Sequence, residues 1–270
     1  MSLDKFRKLS YSLVSLLKLR TPPIAIRFLD KDPDKTAIPG FRPYRDFHKR
    51  MAFCQAAAIA RYYKWPILMG KEDFSCPGAL VVFGLVETPT YFEDGSISEG
   101  LYTKNKDLGS KLDSHLVKLP VNQYKGLSIF SLDQPVAEPH VVLVHLTPGQ
   151  LSRATVGFTY FTGEPLEMKA LGKAGSCGGV AKSFKENKPV VILPGLGDRT
   201  LAWTMDDEMA LAFPAIMLEQ LIEALKKQEE TQVLTYPPKP YLFYEFKFKN
   251  IPIIGKYYDK FLKEVHNNEK

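Results

Sequence analysis

The sequence predicts an α/β or α+β fold: a mixed sheet with flanking helices in one main domain, followed by an aromatic C-terminal extension. Three observations carry that prediction. Several short apolar runs, bounded by proline, glycine or polar residues, read as buried strands. Other stretches repeat apolar residues at helical spacing. At 270 residues, 45% hydrophobic and 24% charged, the chain has the composition of an ordinary globular protein able to bury a core without staples.

In residues 3–19, Leu3, Phe6, Leu9, Leu13, Leu16 and Leu17 recur at helical spacing. Thr21-Pro22-Pro23 ends that helix, because proline pushes the preceding residue out of the α region. Residues 24–29 read as a strand and residues 30–44 as a polar loop. Residues 51–63 form a second helix, with Cys54, Ala57, Ala58 and Arg61 on one face. Those alanines fit close helix packing or a site. Residues 79–86, bounded by Pro77-Gly78 and Thr88-Pro89, read as a buried strand. Residues 91–109 read as a surface excursion and candidate lid.

Residues 112–119 read as a short helix, and residues 126–132 and 140–146 as strands. The continuous apolar run of the latter suits a strand covered on both faces. A turn at Thr147-Pro148-Gly149-Gln150 leads into a helix over residues 151–160. Residues 180–184 open another helix, and residues 190–193 form a strand. Asp206 caps a long helix over residues 207–227, with Pro214 as an alternative start.

The expected organisation is a main domain (1–228), a linker (229–240) and an aromatic, basic extension (241–270). In the extension, Phe246 and Phe248 alternate with Glu245, Lys247 and Lys249, which reads as a half-buried strand. Residues 257–265 read as an amphipathic helix. This tail either packs on the body or docks on a partner protein or membrane surface.

Formal net charge is +6, spread along the chain. That pattern points to no specific nucleic-acid partner. No run approaches the roughly 20 apolar residues of a membrane helix, and residues 1–20 lack a signal-peptide core. The odd count of three cysteines does not make a disulfide framework, which favours a reducing, cytoplasmic setting. A homo-oligomer is allowed.

The cysteines carry most of the chemical information. Cys54 sits in an alanine-rich helix, Cys76 precedes Pro77-Gly78, and Cys177 lies in Gly175-Ser176-Cys177-Gly178-Gly179. Small neighbours leave room beside a thiolate, and Gly178 and Gly179 let backbone approach a ligand. No pair has C-x-x-C spacing, which disfavours a structural zinc site or a thioredoxin-type pair. Iron–sulfur ligands need no such spacing. Three thiolates would hold a [4Fe-4S] cluster with one iron open. Arg61 and Lys182 would offset its negative charge, and a helix beginning near residue 180 would favour the Cys177 thiolate. The competing reading is three buried thiols that merely pack.

Other motifs are weaker. Gly195-x-Gly197-Asp198-Arg199 lacks the Walker lysine and spacing. Arg199 has the fork that suits a substrate carboxylate. His140 and His145 point to opposite faces of one strand and share no metal. No G-x-S-x-G occurs. Tyr102, Tyr160 and Asp206-Asp207 are acid–base candidates by residue type alone.

Several motifs in order resemble one family. They are Pro22-Pro23-Ile24-Ala25-Ile26-Arg27-Phe28, the Cys54 helix with Ala60-Arg61, and Ser75-Cys76-Pro77-Gly78-Ala79 with Phe83-Gly84-Leu85. Pro148-Gly149-Gln150, Ser176-Cys177-Gly178-Gly179, Gly197-Asp198-Arg199 and Phe213-Pro214 follow. Together they resemble the archaeal and bacterial family called domain of unknown function 169, over roughly residues 5–226. The resemblance implies a shared fold and a shared cysteine constellation, and it supplies no reaction. Its occurrence largely in anaerobic microbes would suit an oxygen-sensitive cofactor.

Three functions follow. The first is a cytoplasmic iron–sulfur protein, with Cys54, Cys76 and Cys177 as ligands and Arg61, Lys182, Arg199, Gly178 and Gly179 around the cofactor. Its open iron would take a small-molecule ligand or substrate, or pass electrons to a redox partner. The second is a non-catalytic ligand-binding or carrier module, with its pocket between the Cys54 helix and the Gly149-Gln150 turn. The third is an interaction protein that docks through its tail.

Overall fold

A computed structural model describes residues 2–231, 234–238 and 254–267. In order, its elements are α1 (Leu3–Leu17), β1 (Ile24–Leu29), α2 (Pro43–Phe47), α3 (Phe53–Tyr62) and β2 (Ile67–Gly70). Next come α4 (Pro77–Val82), α5 (Lys106–Asp113), β3 (Gly126–Ser131), β4 (Val141–Leu146) and α6 (Pro148–Thr162). The remainder are α7 (Gly175–Glu186), β5 (Val190–Ile192), α8 (Leu196–Ala202), β6 (Met209–Pro214), α9 (Leu218–Glu230) and α10 (Gly255–Asn267).

The six strands form one sheet in the order β2-β3-β1-β4-β6-β5. Every pairing is antiparallel. Both faces are covered, so the strands read as unbroken apolar runs. In β4, Val141 and Leu143 enter a core shared with α3, α4 and α7. Val142, Val144 and Leu146 enter a second core with α1, α6 and α9. The period of two thus sends one strand into two cores.

Several elements differ from the sequence reading. The run expected as a strand over residues 79–86 is the helix α4. Apolar runs this short do not separate a buried strand from a buried helix. The deciding signal is Pro77 at the first helical position, with extended Cys76 before it. Gly84, at φ +65°, ends the segment, and a Cβ there would lie 2.5 Å from the Pro120 carbonyl oxygen.

The helix expected over residues 207–227 is two elements. Met209–Pro214 forms β6, between β4 and β5, and α9 starts only at Leu218. Pro214 lacks the N–H a helix interior needs, yet it is tolerated as the last residue of a strand. The short helix expected at 112–119 lies earlier, where Asn105 accepts the Leu108 N–H at 3.0 Å. The helix expected to open near residue 180 starts at Gly175, so its first turn contains Cys177. Strand β2 escaped the sequence reading.

α9 runs to Glu230, slightly past the expected start of the linker. The strand expected over residues 241–249 lies outside the described residues. α10 contains the expected amphipathic helix, and its Tyr257 and Phe261 are exposed. Among the described residues no helix is long and apolar enough to cross a membrane.

Gly179 shows how tightly α7 lies on the sheet. A Cβ there would sit 2.2 Å from Ile192 Cδ1 and 2.3 Å from its Cγ1. Gly179→Ala is therefore expected to lower stability by about 1–3 kcal/mol through overpacking. Urea titration measures it. An unchanged midpoint would mean that Ile192 moves aside freely.

Candidate functional site

Four helices begin around one small cavity on the α3/α4/α7 face of the sheet. Cys54 is the second residue of α3, Cys76 immediately precedes α4, and Cys177 is the third residue of α7. Gly195 precedes α8, and Asp198 is its third residue. The three cysteines, far apart in sequence, all line this cavity of about 170 Å³. All three are free and half-buried.

Small residues make the convergence possible. Ala52, Ala79, Ala174, Gly175, Gly195 and Gly197 also line the cavity. Gly175 has no room for a side chain, since a Cβ would lie 2.3 Å from Asp198 Oδ2. Buried Asp198 accepts the Gly195 N–H at 3.0 Å and the Ser176 N–H at 3.3 Å. One carboxylate therefore ties the starts of α7 and α8 together. Cys54 Sγ donates to the Gly197 carbonyl oxygen at 3.6 Å.

Burial, then Asp198, then Cys76, pushes the Cys54 thiol up to about 12. The N–H groups of Gln55 and of Cys54 itself point at that sulfur and oppose the rise. Burial also pushes Cys177 well above the usual thiol range, helped by Asp198, Cys76 and Cys54 and opposed by the Gly178 N–H. Cys54 and Cys177 are therefore protonated at neutral pH in the metal-free protein. Helices α3 and α7, of 10 and 12 residues, place their positive ends at the same cavity.

A pH dependence follows. The folded-state value for Cys54 lies above the ordinary 9.0. Its protonated form stabilises the fold below pH 9.0, and that contribution is lost as pH rises toward about 12. Iodoacetamide should therefore alkylate Cys54 of the metal-free protein slowly at neutral pH and faster across that interval. Mass mapping of the adducts checks this, and rapid neutral labelling would contradict it.

Tyr102 and Lys173 also line the cavity. Lys173 Nζ donates to Ser98 Oγ at 2.7 Å and pairs with buried Asp113. Its ammonium lies 5.6 Å from the centre of the Tyr102 ring. The candidate lid over residues 91–109 thus forms a wall, pinned by the Lys173–Ser98–Asp113 cluster. Asp198 and Lys173 went unassigned in the sequence reading. A signal for Asp198 was its place three residues after Gly195, as in a helix-capping box.

The other sequence candidates lie elsewhere. Arg61 is 2% exposed and pairs with Glu208, also 2% exposed, while its Nε donates to Thr21 Oγ1 at 2.6 Å. Arg199 donates to the Met205 carbonyl oxygen at 2.7 Å. Lys182 lines two separate cavities beside β5. Gly178 faces Leu116, and Gly179 faces Ile192. None of these five lines the cysteine cavity.

The pocket expected between the Cys54 helix and the Gly149-Gln150 turn does not form, because α3 and α6 lie on opposite faces of the sheet. His140 and His145 do not take the opposite faces expected of them. His140 precedes β4, and its ring stacks on Phe28 and Phe184 at the same core that the register of His145 faces. Burial, then Arg61, lowers His145 to about 3. Among the described residues, no three His, Cys, Asp or Glu are grouped to hold a single metal ion.

Fold and site define an α/β protein with an antiparallel six-stranded sheet and a thiol-walled cavity between helix starts. The model of the DUF169 family, described as Uncharacterised ArCR, matches residues 12–224. The chain belongs to that family, and all three cysteines fall within the matched span. No curated protein and no solved structure matched the chain.

Proposed function

We propose that this protein is a cytoplasmic iron–sulfur protein that holds a [4Fe-4S] cluster through Cys54, Cys76 and Cys177, with one iron open to a small ligand, a substrate or an electron. The observation that carries the reading is the meeting of three thiols, from three distant segments, around one cavity.

The donor set fits the group. Thiolates are soft ligands that select iron–sulfur clusters. A multi-iron cluster needs its thiols spread around a volume, whereas a single ion needs them gathered at a point. The N–H groups of Gln55 and Gly178, aimed at the cysteine sulfurs, suit a thiolate-bound cluster, whose potential depends on such bonds. The positive ends of α3 and α7 offset cluster charge in the place expected of Arg61 and Lys182. When bound, the cluster supplies a one-electron couple and a Lewis-acidic iron. Tyr102 and Lys173, which line the same cavity, would face a ligand there.

The test is iron and sulfide analysis, with an absorbance spectrum, on protein purified without oxygen. About four irons and four sulfides per chain with broad visible absorbance support the reading. Colourless, iron-free protein that stays so after anaerobic reconstitution overturns it and returns the cysteines to packing.

A further inference from the structure

A continuous aromatic face crosses the surface beside the cysteine cavity. It starts at Phe41, whose ring centre lies 5.6 Å from Phe47 and 5.4 Å from Trp65. Tyr63 continues it, 6.0 Å from Trp65 and 6.5 Å from Trp203. Each of these rings is substantially exposed, Trp65 at 48% and Trp203 at 59%. Leu196 and Leu201 of α8 are exposed as well, and both line the cysteine cavity. Trp203 caps the C-terminus of α8, whose N-terminus opens at that cavity. At about 1.5 Å rise per residue, Trp203 lies roughly 10 Å along the helix from its start at Leu196 and only two residues past Leu201, which still lines the cavity.

Isolated exposed apolar side chains are ordinary, but joined aromatic rings are a recognition surface. Tryptophan and tyrosine dominate the energetic centres of protein interfaces. The charges of this face and its place beside the cavity point to an acidic protein partner. Lys49 and Arg50 follow Phe47 at one end, and Arg50 lies 4.3 Å over the Tyr44 ring. Asp206 and Asp207 follow Trp203 at the other end, but Asp207 pairs with Arg20 and Asp206 lies 3.4 Å from Arg199, so the cationic end carries the charge open to a partner. A bilayer brings no electron to the cavity that α8 joins to this face, whereas an acidic carrier protein answers the cationic end and reaches the cavity.

We infer that the aromatic face from Phe41 to Trp203 docks a one-electron carrier protein that presents carboxylates around an apolar centre. The inference rests on the cluster reading. The reduced carrier gives one electron to the oxidised cluster and leaves in its oxidised form, with no proton or group transferred. Carboxylates of the carrier meet Lys49 and Arg50, and its apolar centre covers Trp65 and Trp203.

The experiment follows reduction of the cluster in anaerobic holoprotein by stopped-flow absorbance. One reductant is a reduced acidic [2Fe-2S] ferredoxin and the other is dithionite, which needs no docking face. Wild type is compared with the double variant Trp65→Ser/Trp203→Ser, both positions being exposed. The expected result is a loss of about tenfold or more in the ferredoxin rate, at unchanged dithionite rate and iron content. Rising salt should slow ferredoxin alone. An unchanged ferredoxin rate in the variant overturns the inference, and so does a wild type that ferredoxin cannot reduce. An equal loss with both reductants overturns it too, by placing the effect at the cluster. Self-association, or binding to phosphatidylserine vesicles, that the variant loses while keeping its ferredoxin rate assigns the face to a second copy or a membrane. Iron-free wild type is seen before any carrier is added, so failure of the cluster reading is separately visible.

Discussion

Glu208→Ala is expected to cost about 3–5 kcal/mol of stability, the size of effect seen when one partner of a buried ion pair is removed. Arg61 and Glu208 are each 2% exposed, so the truncation leaves a guanidinium in the interior without its counter-charge. Glu208 Oε2 also accepts the Met205 N–H at 3.0 Å, so the turn before β6 loses a bond as well. Urea titration measures the cost as a fall in midpoint at constant slope. The double change Arg61→Met/Glu208→Leu should recover most of it, since apolar residues of similar volume often replace a buried pair at little cost. A loss below about 1 kcal/mol in Glu208→Ala would mean that water reaches Arg61 and that the pair behaves as a surface bridge. The pair joins α3 to the chain entering β6 and fixes the helix that carries Cys54.

Cys54→Ser, Cys76→Ser and Cys177→Ser are each expected to lose most of the bound iron while keeping the fold. Serine has nearly the shape of cysteine, but its hydroxyl is a poor ligand for a cluster assembled on thiolates. Iron per chain, measured without oxygen beside a far-ultraviolet circular dichroism spectrum, separates ligand loss from unfolding. Unchanged iron in all three variants would sink the cluster reading. Loss confined to one or two would identify a smaller ligand set. The aromatic face makes an independent demand, since its variants must keep all their iron.

Much of the fold is legible in the chain. The first helix, β1, β3, β4 and β5 follow from periodicity and from proline and glycine punctuation. Local rules fail where a short apolar run is fully enclosed. Residues 77–82 and 209–214 are apolar on every side, so their period carries no information. Only the surrounding sheet makes one a helix and the other a strand. Proline was the usable clue in both, as Pro77 starts a helix and Pro214 ends a strand.

The site divides in the same way. Three thiols among small residues and the family pattern could be read from the chain. Cys54 and Arg61 share a helix, which suggested one site. In the structure the neighbouring turn supplies Glu208, and the stronger demand of a buried cation for a carboxylate takes Arg61 away from the cavity. Gly179 looked like room for a ligand and instead makes room for Ile192. The sequence by itself determined which elements form wherever one face meets water or a cap marks an end, and which residues are available as soft ligands. Only the tertiary structure decided that Cys54, Cys76 and Cys177 meet, that Asp198 binds two helix starts together, and that five aromatic rings join beside them. The physical reason is reach. Backbone periodicity relates residues within a few turns, whereas contacts between distant segments are set by sheet order and by which helix starts the sheet brings together.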